Sequence, residues 1–341
     1  LRPAMKRRLL LLSALACACS GSLQGDPEVT SDWQVLEQVA FQEDGQTPWV
    51  LLPDSPSGLS LRVTADSEVC FGLSAAEGPA GEELARRFAG QECSDCEVRW
   101  SVAVEAAVFV LPRASQVRFG VSDCQTLNPL RRAAGSLRVE AQPVAQLDAP
   151  VLPLRMLVTP GSALETDSGE RDRLLAALTD ELIDSGVEPR LTGVETFGRS
   201  PGRLRFHAGD PAELATLVEG HPAREDEVRV VVAGCLEYAD PFFGPPIALD
   251  GYTPRVVGGA GPADAVFLPD VDCTSSLALA PTPESRGRTL AHELGHYLGL
   301  FHADSEGQGD TNLMSPNPSL AAAHGLTPDQ VRVLRRHPIL Q

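Results

Sequence analysis

Eleven residues, HELGHYLGLFH (292–302), hold three of the seven histidines of a 341-residue chain. On an α-helix His292 and His296 lie one turn apart on the same face, the separation at which two imidazoles bind one metal ion. Glu293 flanks the pair. One straight helix cannot wrap a tetrahedral zinc ion, so a third ligand has to arrive from another direction. Gly299, with no Cβ, can end the helix in a left-handed conformation and turn the chain back so that His302 completes the set. Three neutral imidazoles leave a fourth zinc position open for water, whose pKa the cation lowers toward about 7, and Glu293 is placed to take the proton. Multiplying residue frequencies over every start position gives a chance expectation on the order of 10^-5 for His-Glu-His-Gly-His at this spacing. A helix that carries solvent-facing histidines by accident is therefore the weaker reading. The competing functional class is a non-catalytic exported surface or binding protein with a structural zinc site. Glu293 argues against it, because a structural site has no use for a carboxylate beside an open coordination position.

The pattern His292-Glu293-x-x-His296-x-x-Gly299-x-x-His302 resembles the extended zinc motif of the metzincin metallopeptidases. Downstream, DTNLMSP (310–316) places Met314 where that family has its Met-turn, the bend that forms an apolar floor beneath the zinc. The resemblance covers roughly residues 153–341. It implies one catalytic Zn2+ held by His292, His296 and His302, with Glu293 as general base for hydrolysis of peptide bonds in protein or peptide substrates. The expected fold is α/β: a twisted mixed sheet, an active-site helix, a Met-turn and a C-terminal helix, preceded by a β-rich N-terminal domain. The motif itself and the Asp310-Thr311 to Met314 stretch lean toward the pappalysin-like branch, while the short span between His302 and Met314 is closer to a matrixin-like length. No tyrosine follows Met314, so the tyrosine that some metzincins place beside the zinc has no counterpart there. No latency switch sequence is recognisable ahead of the motif.

Elements must hold these residues in place. Thr282 as cap, Pro283 in the first turn and Glu284 at the positive end of the dipole start the histidine helix. Thr327 and Pro328 repeat the device for a short terminal helix with Val331 and Leu334 on one face. Upstream, LPLRMLVTP reads as a strand, ERDRLLAALTDELIDSG as a helix with Gly186 past its end, GRLRFHAG as a strand and PAELATLVEG as a short helix. EVRVVVAGCLEY is a continuous apolar run suited to a single buried strand, and DAVFLPDVDC is a later one. Strands alternating with helices predict an α/β layer over 153–341. Residues 26–146 instead run as short alternating segments, LSLRVTADSEVCFGL, CEVRWSVAVEAAVFVLP, SQVRFGVSDC and GSLRVEAQPV, with one helical interruption, GEELARRFAG. This predicts a β-rich module of sandwich type, whose task as propeptide, binding module or structural domain is left open. The proline-bearing stretch AQPVAQLDAPVLP marks the boundary.

Composition narrows the partners. A formal charge of -18 argues against nucleic acid and against an anionic membrane surface, both of which need a basic patch. Met5, then Lys6, Arg7 and Arg8, then the apolar run from Leu9 to Ala16 read as a signal peptide over residues 1–19, with Leu1 to Ala4 as upstream translation. Export is expected, into the medium or onto a bacterial envelope. LACACSGS also resembles a lipoprotein processing site, so Cys17 or Cys19 would carry a lipid, and the anchor would be the chain's sole tie to a membrane. Six cysteines remain, and in an exported chain they predict disulfides, with Cys235 and Cys273 paired and Cys70, Cys93, Cys96 and Cys124 left for the N-terminal module. Cys93-Ser-Asp-Cys96 reads as structural bridging rather than a redox or zinc pair. Asp304, Glu306 and Asp310 form a glycine-containing acidic connection that suits either a Ca2+ ion or plain solvation. Asp304 and Asp310 are also candidates to orient a ligand histidine. His207, His221, His324 and His337 lack partner spacing and read as surface or packing residues. Oligomeric state is not legible.

Overall fold

The computed structural model describes residues 33–67, 69–84, 102–104, 106–111, 114–123, 128–132, 134–144, 147–198, 202–207, 212–239, 244–261, 263–271, 273, 281–303, 312–315 and 325–341. The leader with Cys17 and Cys19, the cysteines at 93, 96 and 124, most of the helical interruption at 81–90, the acidic residues Asp304, Glu306 and Asp310, and His324 lie outside them.

Alternating side chains build the first part of the fold. The strands are β1 (Gln34–Ala40), β2 (Val50–Leu51), β3 (Leu59–Ala65), β4 (Cys70–Glu77), β5 (Val102–Val104), β6 (Ala106–Leu111), β7 (Gln116–Ser122) and β8 (Ser136–Pro143). They form two antiparallel sheets, ordered β1-β8-β3-β6 and β2-β7-β4-β5. Leu59, Leu61 and Val63 from one sheet and Phe71, Leu73, Val117 and Phe119 from the other share one core. The module is a β-sandwich whose period-2 pattern buries one face of each sheet. Cys70 is disulfide-bonded.

A different rhythm follows in β9 (Val151–Val158), α1 (Ala163–Thr166), α2 (Ser168–Glu181), β10 (Glu188–Thr196), β11 (Arg203–Phe206), α3 (Ala212–Val218), β12 (Val228–Val232), β13 (Cys235–Tyr238), β14 (Ile247–Leu249), β15 (Val266–Leu268), α4 (Pro283–Tyr297) and α5 (Pro328–Leu334). Strands β10-β9-β12-β15 make an all-parallel sheet. Both of its faces are covered, which explains the near-continuous apolar runs. Leu152, Leu154, Met156 and Val158 of β9 and Val228, Val230 and Val232 of β12 point to the side packed by α2 and α4. Leu157 and Val231 point to the other, toward α3 and a second sheet.

That second sheet corrects the sequence reading of a single mixed sheet. It has the order β11-β13-β14, with β11 and β13 parallel and β14 antiparallel at the edge. The run EVRVVVAGCLEY, read as one strand, is two strands in two sheets. Gly234 takes φ +53, a left-handed conformation that bends the chain between β12 and β13. Strand β10 was not anticipated either. Pro189 and a register shift between Leu191 and Gly193 blur its alternation, which an edge strand tolerates. The Cys235–Cys273 disulfide forms as expected.

Residues Trp33–Gln341 form one compact unit. Arg62 of β3 pairs with Glu225 at 2.6 Å, and the Arg255 guanidinium donates to the Ala106 carbonyl of β6. Val151 and Gln341 exchange two main-chain hydrogen bonds, 2.9 and 3.0 Å long. Among the described residues, no helix is long and apolar enough to cross a membrane.

Candidate metal centre

Helix α4 is capped as its sequence suggests: the Thr282 hydroxyl accepts from the Ser285 N–H at 3.2 Å, and Pro283 opens the helix. Leu290, Ala291, Leu294 and Tyr297 bury it in the main core. Gly287, one turn into the helix, has a packing role. A Cβ there would stand 2.7 Å from the Cβ of Ala177 and 2.8 Å from the carbonyl oxygen of Leu174, so α4 and α2 touch backbone to backbone at this point.

The helix ends in a Schellman turn. The Gly299 N–H bonds to the His296 carbonyl (3.0 Å), the Leu300 N–H bonds to the Gly295 carbonyl (2.8 Å), and Gly299 has φ +108. The turn returns the chain over the helix face. The Nε2 atom of His302 comes to rest 3.3 Å from that of His292 and 3.1 Å from that of His296. His292 is buried and His302 is exposed.

The tautomers follow from the partners. His292 Nδ1 lies 2.8 Å from the Leu313 carbonyl and His296 Nδ1 lies 2.7 Å from the Leu300 carbonyl. A carbonyl only accepts, so each Nδ1 carries the hydrogen and each Nε2 presents a lone pair. Two lone pairs aimed at a third imidazole nitrogen repel one another unless a proton or a cation stands between them. Tetrahedral zinc at about 2.0–2.1 Å from each nitrogen sets its ligands about 3.3–3.4 Å apart, close to the two separations from His302, and all three ligand nitrogens lie within 4.8 Å of one another. The donor set fits zinc. Burial drives the protonation equilibria the same way, taking His292 down to about 4 and His296 to about 3, and lowering His302 as well. All three rings are therefore neutral at neutral pH, the form that binds metal.

Met314 lies under this face. It is fully buried, and a Cβ added at Gly295 would collide with its sulfur. The turn that carries it is fixed at both sides: Leu313 accepts from His292, and the Ala303 N–H donates to the Met314 carbonyl at 2.8 Å. Asn312 takes the Met314 N–H on Oδ1 (2.9 Å) and exchanges hydrogen bonds with Gln330 of α5. Gln330 is also the third residue of the Thr327 capping box, so the terminal helix anchors the turn.

Glu293 is buried beside the histidines, and burial pushes its carboxyl up to about 7. The Thr253 hydroxyl, 2.8 Å from Oε2, and the Thr253 main-chain N–H, which also bonds to the carboxyl, partly offset this. Glu293 and the three histidines open into one cavity of about 540 Å3, walled by Tyr238, Tyr252, Thr253, Val256 and strand β14. Nothing in the spacing of DGYTPR (250–255) marked this wall. Its contact with Glu293 spans 40 residues of sequence, beyond any local periodicity.

No family model and no curated protein matches the chain. Among solved structures, the chain is similar to the crystal structure of metalloproteinase-II from Bacteroides fragilis, at 16% identity and a TM-score of 0.38, over 66% of this chain and 63% of that one. It is also similar to a structure of a chaperone-substrate complex at 14% identity and a TM-score of 0.35, over 68% of this chain and 38% of that one. The chain thus spans less than two thirds of either.

Proposed function

We propose that this protein is a zinc-dependent metalloendopeptidase. The observation that carries the reading is the convergence of three imidazole Nε2 atoms beside a buried carboxyl in one open cleft. His292, His296 and His302 would hold the ion, with Met314 packed against the helix beneath them. Bound zinc supplies a Lewis acid that polarises a substrate carbonyl and makes water nucleophilic near neutral pH.

The rest falls to the chain. Glu293, buried beside the three histidines and facing the same cleft, would take a proton from the attacking water and give it to the departing amine. No covalent intermediate with the protein is required. Strand β14 is an edge strand and lines the cleft, so an extended peptide can run beside it as an added strand. Under this reading the substrate is protein or peptide. The chain acts outside the cytoplasm, secreted or held by lipid at Cys17 or Cys19, and the sandwich accompanies the peptidase portion.

The test pairs metal analysis with digestion of casein and a broad peptide library by the full chain. One zinc per chain is expected. Cleavage should disappear with a chelator, return with added zinc, and be lost in Glu293→Gln while zinc is retained. Equal cleavage by wild type and Glu293→Gln would overturn the mechanism. Stoichiometric zinc with no cleavage of any library member would favour a structural clamp.

A further inference from the structure

The segment 250–253 grips Glu293 from two sides. The Thr253 Oγ1 lies 2.9 Å from the main-chain oxygen of Glu293 and 2.8 Å from its Oε2. A hydroxyl has one proton to give and lone pairs to receive with, so it cannot donate to both oxygens at once. It can alternate between the two without leaving its place, so Oγ1 stays within reach of Oε2 and ties the carboxyl to the helix backbone that carries it.

The other side is closed by backbone. A Cβ built on Gly251 would stand 2.7 Å from Glu293 Cγ and 2.9 Å from Oε1, so this glycine lets the main chain lie against the side chain. With Oε2 tied and Oε1 walled, the carboxyl has little freedom to swing in the cavity.

We propose that Thr253 is a positioning residue for Glu293, its hydroxyl holding the carboxyl at one place beside the three histidines. The inference rests on Glu293 as the base, and a misplacement of about 1 Å at such a group costs on the order of 100-fold in rate.

The experiment compares Thr253→Val, Thr253→Ala and Thr253→Ser with wild type and Glu293→Gln in the full chain. The substrate is a quenched fluorescent peptide chosen from those that wild type cleaves. Zinc content and melting temperature establish that each variant is folded and loaded. Losing the hydroxyl should lower kcat roughly 10- to 100-fold in both Thr253→Val and Thr253→Ala, with KM nearly unchanged, and Thr253→Ser should restore most of the rate. A second readout does not depend on turnover: the infrared carboxyl band of Glu293, identified by its absence in Glu293→Gln, should shift in Thr253→Val and stay in place in Thr253→Ser. Either a wild-type kcat in folded Thr253→Val or Thr253→Ala, or an unshifted band, overturns the proposal. So does an equal loss in Thr253→Ser. If Glu293→Gln itself turns over normally, the base reading fails first, and the band alone then decides whether Thr253 holds the carboxyl.

Discussion

His337 should make the fold sensitive to mild acid. Its ring is buried at 3% exposure; Nε2 lies 3.2 Å from the Gly258 carbonyl, and Nδ1 lies 3.1 Å from the Ile339 N–H. The first contact requires Nε2–H and the second a lone pair on Nδ1, so only one neutral tautomer fits. A second proton would set N–H against N–H in a site without water access. Burial accordingly lowers the group from 6.5 to about 4. The folded form binds the proton less readily than the unfolded chain, so the contribution is complete above pH 6.5 and is lost as pH falls from there toward 4. The displacement corresponds to about 3 kcal/mol. The assay is chemical denaturation of zinc-free wild type and His337→Gln between pH 7.5 and 4, since glutamine keeps a donor and an acceptor but does not titrate. The clustered histidines His292, His296 and His302, all lowered by burial, are the same in both proteins and cancel in the difference. Wild type should lose about 3 kcal/mol more than the variant across this range. Parallel curves would refute the argument.

His302→Ala removes an exposed ring on the turn after α4 and should change stability by no more than about 0.5 kcal/mol, while zinc bound per chain falls from one toward none; retained stoichiometric zinc in atomic emission would count against the three-nitrogen site. For Gly299→Ala, the new methyl would meet Val333 Cγ1 at 3.4 Å and Val257 Cγ2 at 3.5 Å, ordinary contacts. The cost then comes from φ +108, about 1–3 kcal/mol in a thermal melt, and an unchanged melt would show that the turn relaxes freely. Gly287→Val drives side-chain atoms into the backbone of α2 and should cost about 1–3 kcal/mol or more; wild-type stability would mean that the two helices can separate there without penalty.

What could be read from the sequence was what local physics writes locally. The four-residue step from His292 to His296 is a helix period, Thr282 and Thr327 announce helix starts, and Gly299 announces a stop that the Schellman turn uses. The sandwich followed from alternation in runs such as SLRVEAQ. Tertiary context decided the rest. VRVVVAGCLEY has no polar interruption to show that it changes sheets at Gly234, because both halves are buried and apolar. Gly287 resembles a helix defect until α2 is seen against it. Thr253 and Gly251 carry no motif at all; they matter because the chain lays them against Glu293 from 40 residues away. Strand β10 hid behind Pro189 and Gly193, since an edge position forgives residues that a central strand would refuse.

The clasp between Val151 and Gln341 joins two distant points of the chain into one opening event. Each amide is covered by the other residue's carbonyl, so their exchange with deuterium should rise and fall together when either is loosened.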